Sequence, residues 1–297
     1  MKRSTWWFLF WAFGISWAVA EAGFRLLPQE TPYVLAIGVL FMFGPALAAV
    51  IVTRFHQRRP LRSLGPVFAL NRYCVWGVAM VVAFALAHVL IAPLVPGLSL
   101  NLDAEALQHR ILEMVPPAQH AEVTTALGKF GAALPWVLLA QTLFVGVAAG
   151  LTVNAVATFG EELGWRGFLH HDLAAMPFWS KSAVIGVAWG LWHAPLILRG
   201  HNFPQHPEWG VLVMVAFCVG LAPLFEFMRQ RSGALLVSVW MHGVMNATAN
   251  TLVFVSGPDL VRGPVGFAGI LVLAAMNLAL WWHLRRDASL QPVASPA

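Results

Sequence analysis

GAALPWVLLAQTLFVGVAAGLTVNAVATFG, residues 131–160, carries no formal charge, and Glu161-Glu162-Leu163-Gly164-Trp165-Arg166 follows directly. Such a run is too long for the core helix of a soluble domain and meets the roughly 20 apolar residues that a helix needs to cross a hydrocarbon core of about 30 Å. Two carboxylates and a guanidinium at its end are costly in that setting, and by default they mark a site facing the interior of a bundle. The rest of the chain has the same character. Of 297 residues, 59% are hydrophobic and 10% charged, with a mean hydropathy of +0.71, which excludes a disordered chain, a collagen and a soluble globule. Cys74 and Cys218 both lie in apolar runs, so neither a disulfide framework nor a CxxC metal site can be built. The pI near 9.9 does not point to nucleic acid, because the basic residues fall in short connections between apolar runs, where they set orientation across a bilayer.

Outward from 131–160, eight crossings are expected: 5–24, 32–53, 73–95, one within 136–171, then 182–199, 209–228, 232–256 and 263–284. No period-two alternation competes, so the expected fold is an all-α polytopic membrane bundle, one domain over 1–297. The long non-spanning stretch is 96–130, where Asp103, Glu105, Glu113 and Glu122 outnumber Arg110 and Lys129. Assigning connections alternately to two sides puts Lys2, Arg3, Arg54, Arg58, Arg59, Arg62, Arg72, Arg166, Lys181, Arg229, Arg231, Arg285 and Arg286 on one side. Arg25, Arg110, Lys129, Arg199 and Arg262 fall on the other. Positive loops stay in the cytoplasm, so both termini are expected there, in a bacterial inner membrane. Ala18-Val19-Ala20 before Glu21 has the form of a signal-peptide cleavage site, but Trp6, Trp7, Trp11 and Trp17 suit a retained helix with interfacial anchors better.

Three polar clusters interrupt the spans: Glu161 to Arg166, Trp189 to Pro195 with His193, and Trp240 to Asn246 with His242. At 100° per residue Glu162 and Arg166 form an i,i+4 pair suited to an ion pair, while Glu161 points away from the arginine and is left free for chemistry. His242 and Asn246 are again i,i+4 and converge from one face. Trp189 precedes His193 by one turn and can pack on its ring, and Pro195 removes a backbone N–H just beyond it. Counted at 1.5 Å per residue from the cytoplasmic boundary, Glu161, His193 and His242 all lie about 15 Å deep, so three helices can bring them together. Singly, each histidine also reads as an interhelical hydrogen-bond former, and so do Asn154, Asn250 and Asn277. His88 and His283 lack partners at useful spacing, and His170 and His171 read as interfacial residues.

Glu-Glu-x-x-x-Arg, then an aromatic-x-x-x-His, then His-x-x-x-Asn on separate membrane helices resembles the motif set of the CPBP family, the type II CAAX prenyl endopeptidases also called the ABI family of intramembrane metalloproteases. The resemblance covers about 135–255, which it implies is the catalytic core, with 1–130 supplying N-terminal spans and a loop. It supplies Glu161, Glu162, Arg166, His193, His242 and Asn246 as site residues; Trp189 stands where the family most often has phenylalanine. It implies an endopeptidase acting on a lipid-modified or membrane-embedded protein or peptide, in CAAX-type processing or in bacteriocin maturation or immunity. His-Glu-x-x-His, Gly-x-Ser-x-Gly and a pair of intramembrane aspartates are all missing, so other intramembrane proteases fit worse. Two mechanisms remain open. In one, Glu161 with His193 deprotonates a water while His242 and Asn246 hold the oxyanion and Glu162 with Arg166 fixes the helix. In the other, Glu161, His193 and His242 bind one Zn²⁺. The competing functions are a proton-coupled transporter, and a non-catalytic scaffold or immunity protein.

Overall fold

The computed structural model describes residues 1–28, 30–113 and 115–286; the end of the expected domain, 287–297, lies outside the described residues. Helix follows helix: α1 Arg3–Leu26, α2 Thr31–Met42, α3 Gly44–Ile51, α4 Arg72–Ile91, α5 Ala104–Leu112, α6 His120–Gly128, α7 Leu134–Leu151 and α8 Val153–Glu162. The remainder are α9 His170–Asp172, α10 Phe178–Trp192, α11 Ala194–Ile197, α12 Pro207–Ser232, α13 Leu236–Thr248 and α14 Phe267–Arg286. One short antiparallel pair, β1 Ser99–Leu100 and β2 Val255–Ser256, ties the 96–130 loop to the end of α13. The polytopic helical bundle read from the sequence is the observed fold.

Among the described residues, six stretches are long and apolar enough to cross a membrane: Arg3–Leu26, Pro32–His56, Arg72–Leu94, Gly131–Leu151, Pro207–Ser232 and Phe267–Arg286. The expected fifth and seventh crossings are shorter helices, for local reasons. Pro195 cannot donate a backbone hydrogen bond, so α10 stops at Trp192 and α11 restarts beyond His193. Ahead of α13, Gly233 caps α12 in the left-handed conformation (φ 71°), and beyond Thr248 the chain tightens into a 3-10 segment, Ala249–Phe254.

The fourth crossing is broken at Thr152 (φ −120°, ψ −88°) but keeps its direction. Gly146 lies against Ala247, Gly150 against Val244, and Thr158 donates to the Val239 carbonyl, so α7 and then α8 run antiparallel to α13 in one pass. The helix continues through Gly160, as the depth argument requires, and opens into a π-helical turn at Leu163–Leu169. Glycines set these approaches. A Cβ on Gly150 or on Gly190 would lie 2.5 Å from the Cα of Val244 or Val215, the small-residue contact on which membrane helices associate.

The two ends of the bundle differ. At one end Ser4 and Thr5 donate to Asp172, as does Gln57, Asn71 donates to the Ser232 carbonyl, and His283 packs edge-on against Phe227. This brings the starts of α1, α4 and α13 together with the ends of α9, α12 and α14, and with them every residue of the larger basic group except Arg166, which is buried in the core. At the other end Arg199 pairs with Glu21, Asn101 meets Ser256, and His206 meets Asp259. There α5 packs Leu107 into a small cluster with Leu134, Val253 and Phe254, started by Asp103, which caps the Glu105 and Ala106 N–H groups.

Candidate active site

The adjacent glutamates part as helical geometry requires. Glu162 is fully buried; its Oε1 accepts from Arg166 at 3.0 Å and from His242 Nδ1 at 2.9 Å. Arg166 is clamped between aromatic faces, with its Cζ 4.3 Å from the Trp189 ring and 4.7 Å from that of Phe225. A desolvated cation between two rings gains about 2 kcal/mol or more per ring, which helps to hold a charge that the bundle core would otherwise reject.

Glu161 faces a cavity of about 330 Å³. It is 2% exposed. Trp189 donates its indole N–H to Oε2 at 2.7 Å, and His242 Nε2 stands 4.0 Å from Oε1. His193, Asn246, Trp192 and Cys218 also line this cavity. The His193 position follows from the helix break: Nδ1 lies 2.8 Å from the Trp189 carbonyl, and since a carbonyl only accepts, Nδ1 carries the proton and Nε2 keeps a lone pair. By the same logic His242 donates Nδ1–H to the Glu162 carboxylate, leaving Nε2 beside Glu161.

All six residues singled out in the sequence therefore meet around one cavity and the ion pair behind it. Two of their relations were not legible. Glu162 orients His242 as well as pairing with Arg166, and Trp189, placed against His193 by spacing (ring centroids 6.1 Å apart), spends its N–H on Glu161. Phe225 was missed altogether, because an apolar residue in an apolar span carries no signal. His170 is not merely interfacial: it reaches Glu226 at 2.6 Å, which also pairs with Lys181. That network lies at the basic end of the bundle, behind the site.

Among the described residues no group of three or more His, Cys, Asp or Glu side chains is placed to hold a metal ion. Glu161, His193 and His242 share the cavity without converging, and Glu161 Oε2 and His242 Nδ1 are already bonded to other side chains. As arranged, the three do not make a zinc site.

Residues 135–248 match the family model described as type II CAAX prenyl endopeptidase Rce1-like. A similar protein, CAAX prenyl protease 2 of Methanococcus maripaludis, is 26% identical over 132 residues, which is 42% of this chain and 46% of that protein. The chain thus spans about half the length of the curated relative it matches. Over this region the chain is similar to the CPBP family, the resemblance that its motifs carry.

Proposed function

We propose that this protein is an intramembrane endopeptidase, hydrolysing a peptide bond near the membrane in a membrane-embedded or lipid-modified protein or peptide. One observation carries the reading: of two adjacent buried carboxylates, Glu162 is held by Arg166 and His242, while Glu161 lies at the inner end of an open cavity with His193, His242 and Asn246 around it. Glu161 takes a proton from a water molecule whose other hydrogen is accepted by His193 Nε2. The hydroxide oxygen bonds to the scissile carbonyl carbon. The oxyanion accepts from the Asn246 amide and from Nε2–H of the imidazolium form of His242, and Glu161 then passes its proton to the departing amine as the C–N bond breaks. A positioned base contributes about 10²–10⁴-fold and each oxyanion donor about 10²–10³-fold.

The Trp189 N–H restrains one oxygen of Glu161, so the other is presented to the water. CAAX-type processing and bacteriocin-related maturation are the substrate classes that the family relationship puts forward. Purified wild type and Glu161→Ala, compared on a peptide library in detergent, test the activity directly. Cleavage by the wild type alone supports it. Equal cleavage by both, or substrate-coupled proton uptake without cleavage, replaces it with the transporter reading.

A further inference from the structure

At the basic end of the bundle a cavity of about 710 Å³ is lined by residues of α4, α12 and α14 and shares none of them with the cavity over Glu161. Its rim carries Arg72 at the start of α4, Arg231 in the last turn of α12 and His283 in the last turn of α14. Below the rim the lining is apolar: Trp76, Ala79, Met80 and Ala83 descend one face of α4, with Phe227 and Met228 of α12 beside them. Arg72, Trp76, Ala79, Ala83 and His283 are exposed. All three helices belong to membrane-spanning stretches, so the hollow opens outward, toward lipid. From Arg72 to Ala83 it descends about 16 Å at a rise of about 1.5 Å per residue, the depth of one leaflet of a hydrocarbon core of about 30 Å.

The rim suits an anion. Among the described residues no acidic side chain lines the cavity. Arg72 has its Cζ 5.1 Å from the Tyr73 ring centroid and donates to the Tyr73 hydroxyl at 3.2 Å; Arg231 has its Cζ 5.3 Å from the Phe227 centroid, and His283 packs edge-on against the same ring at 5.8 Å. A guanidinium held by its face on a ring is oriented, and its planar fork of N–H donors matches the oxygens of a phosphate. Free phosphate would leave the apolar trough unfilled, and a zwitterionic lipid would bring its own ammonium to a rim of guanidinium groups. A phospholipid of net negative charge fits both parts, and basic pockets between membrane helices take such headgroups. We propose that this hollow binds an anionic phospholipid, its phosphate held by Arg72 and Arg231 with His283 beside it and one acyl chain laid along α4 as far as Ala83. The same stretch of α12 carries Phe225, which packs on Arg166, and Arg229, whose Nε donates to the Arg166 carbonyl at 3.2 Å. The lipid therefore braces from outside the helix that holds the buried cation of the catalytic site.

Binding can be read without turnover. The full chain, stripped of lipid in a neutral detergent, is titrated with dioleoylphosphatidylglycerol, dioleoylphosphatidylcholine or inorganic phosphate, and bound lipid and melting temperature are followed by native mass spectrometry and thermal unfolding. The expected result is a tightly held phosphatidylglycerol, preferred over phosphatidylcholine, that raises the melting temperature. Arg72→Gln combined with Arg231→Gln should weaken it on the order of 25-fold, about fivefold for each arginine. Ala83→Trp fills the foot of the trough at an exposed position and should weaken binding with the rim intact, a test that stands if the double variant does not fold. Arg285→Gln combined with Arg286→Gln removes the same charge from the same end, outside the cavity, and should bind as wild type does. Equal affinity for the two lipids, equal losses in the two double variants, or inorganic phosphate raising the melting temperature as much as phosphatidylglycerol would each overturn the proposal.

Discussion

Replacing Glu161 by glutamine keeps the volume and an oxygen for the Trp189 N–H but removes the base. Proteolysis should therefore vanish while thermal unfolding in detergent stays close to wild type; full activity would refute the mechanism. Glu162→Gln acts differently, since it weakens the acceptor of both Arg166 and His242 in a fully buried setting. Losing one partner of a buried pair costs about 3–5 kcal/mol, so this variant should lose melting temperature and activity together. His242→Ala should retain fold and lower kcat by about 10²–10³-fold, the cost of one oxyanion donor. Chelation followed by elemental analysis of the wild type checks the same point from another side: activity should persist in metal-free protein, and a requirement for stoichiometric zinc would return His242 to a ligand role. The residues of this site were readable because charge in an apolar span is expensive and therefore conspicuous. Their bonding was not, because spacing along one helix says which face a side chain takes and nothing about what a neighbouring helix offers it, as with Trp189 and Glu161.

Among the elements, α10 and α12 are held together at Gly186 and Gly190, where a Cβ would fall 2.6 Å and 2.5 Å from the Cα atoms of Val219 and Val215. Gly190→Val must push these helices apart, and with them His193 and Cys218 on opposite walls of the cavity. Overpacking of this kind costs about 1–3 kcal/mol, and the expected readout is a lower melting temperature with a loss of activity that exceeds the loss of folded protein. The loop beyond α13 has its own pH dependence. Burial alone would raise the Asp259 carboxyl, but hydrogen bonds from His206 and the Gln205 N–H hold it below its ordinary value. A carboxyl depressed on folding contributes stability above its unfolded pKa of about 3.9, and that stability disappears as pH falls through the lower folded value. Melting curves from pH 6 down to pH 3 should accordingly fall less steeply for Asp259→Asn than for wild type. Apolar length located the spanning helices but not α5 and α6 within 96–130, and helix ends escaped it: the breaks at Thr152 and His193 and the π-helical turn after Glu162 depend on how carbonyls and glycines meet across helices. Pro195 alone announced its break in advance.

For the whole molecule, the asymmetry of basic residues predicts that a reporter fused to the C-terminus, fluorescent only in the cytoplasm, will light up; a signal from the other side would invert the orientation. That asymmetry was countable from sequence even though Arg166, one of the residues counted, is a core residue and no part of any membrane face. Which loops edge the cavity over Glu161 was not countable, since 199–206 and 257–266 meet there only in the folded chain. One further property follows from the bonds of α1. Thr5 bonds Asp172, Trp17 bonds the Trp192 carbonyl, and Glu21 pairs with Arg199, separations of 167, 175 and 178 residues. Although Ser16 of α1 meets the Phe41 carbonyl early, these three groups of α1 thus meet their partners late. At about 5–20 residues per second of translation, α1 waits on the order of ten seconds or more in the bilayer without these three contacts, long enough to be sheltered by the insertion machinery. Ribosome-bound chains stalled before residue 160 should leave α1 open to crosslinking with that machinery, and chains stalled well beyond residue 200 should not.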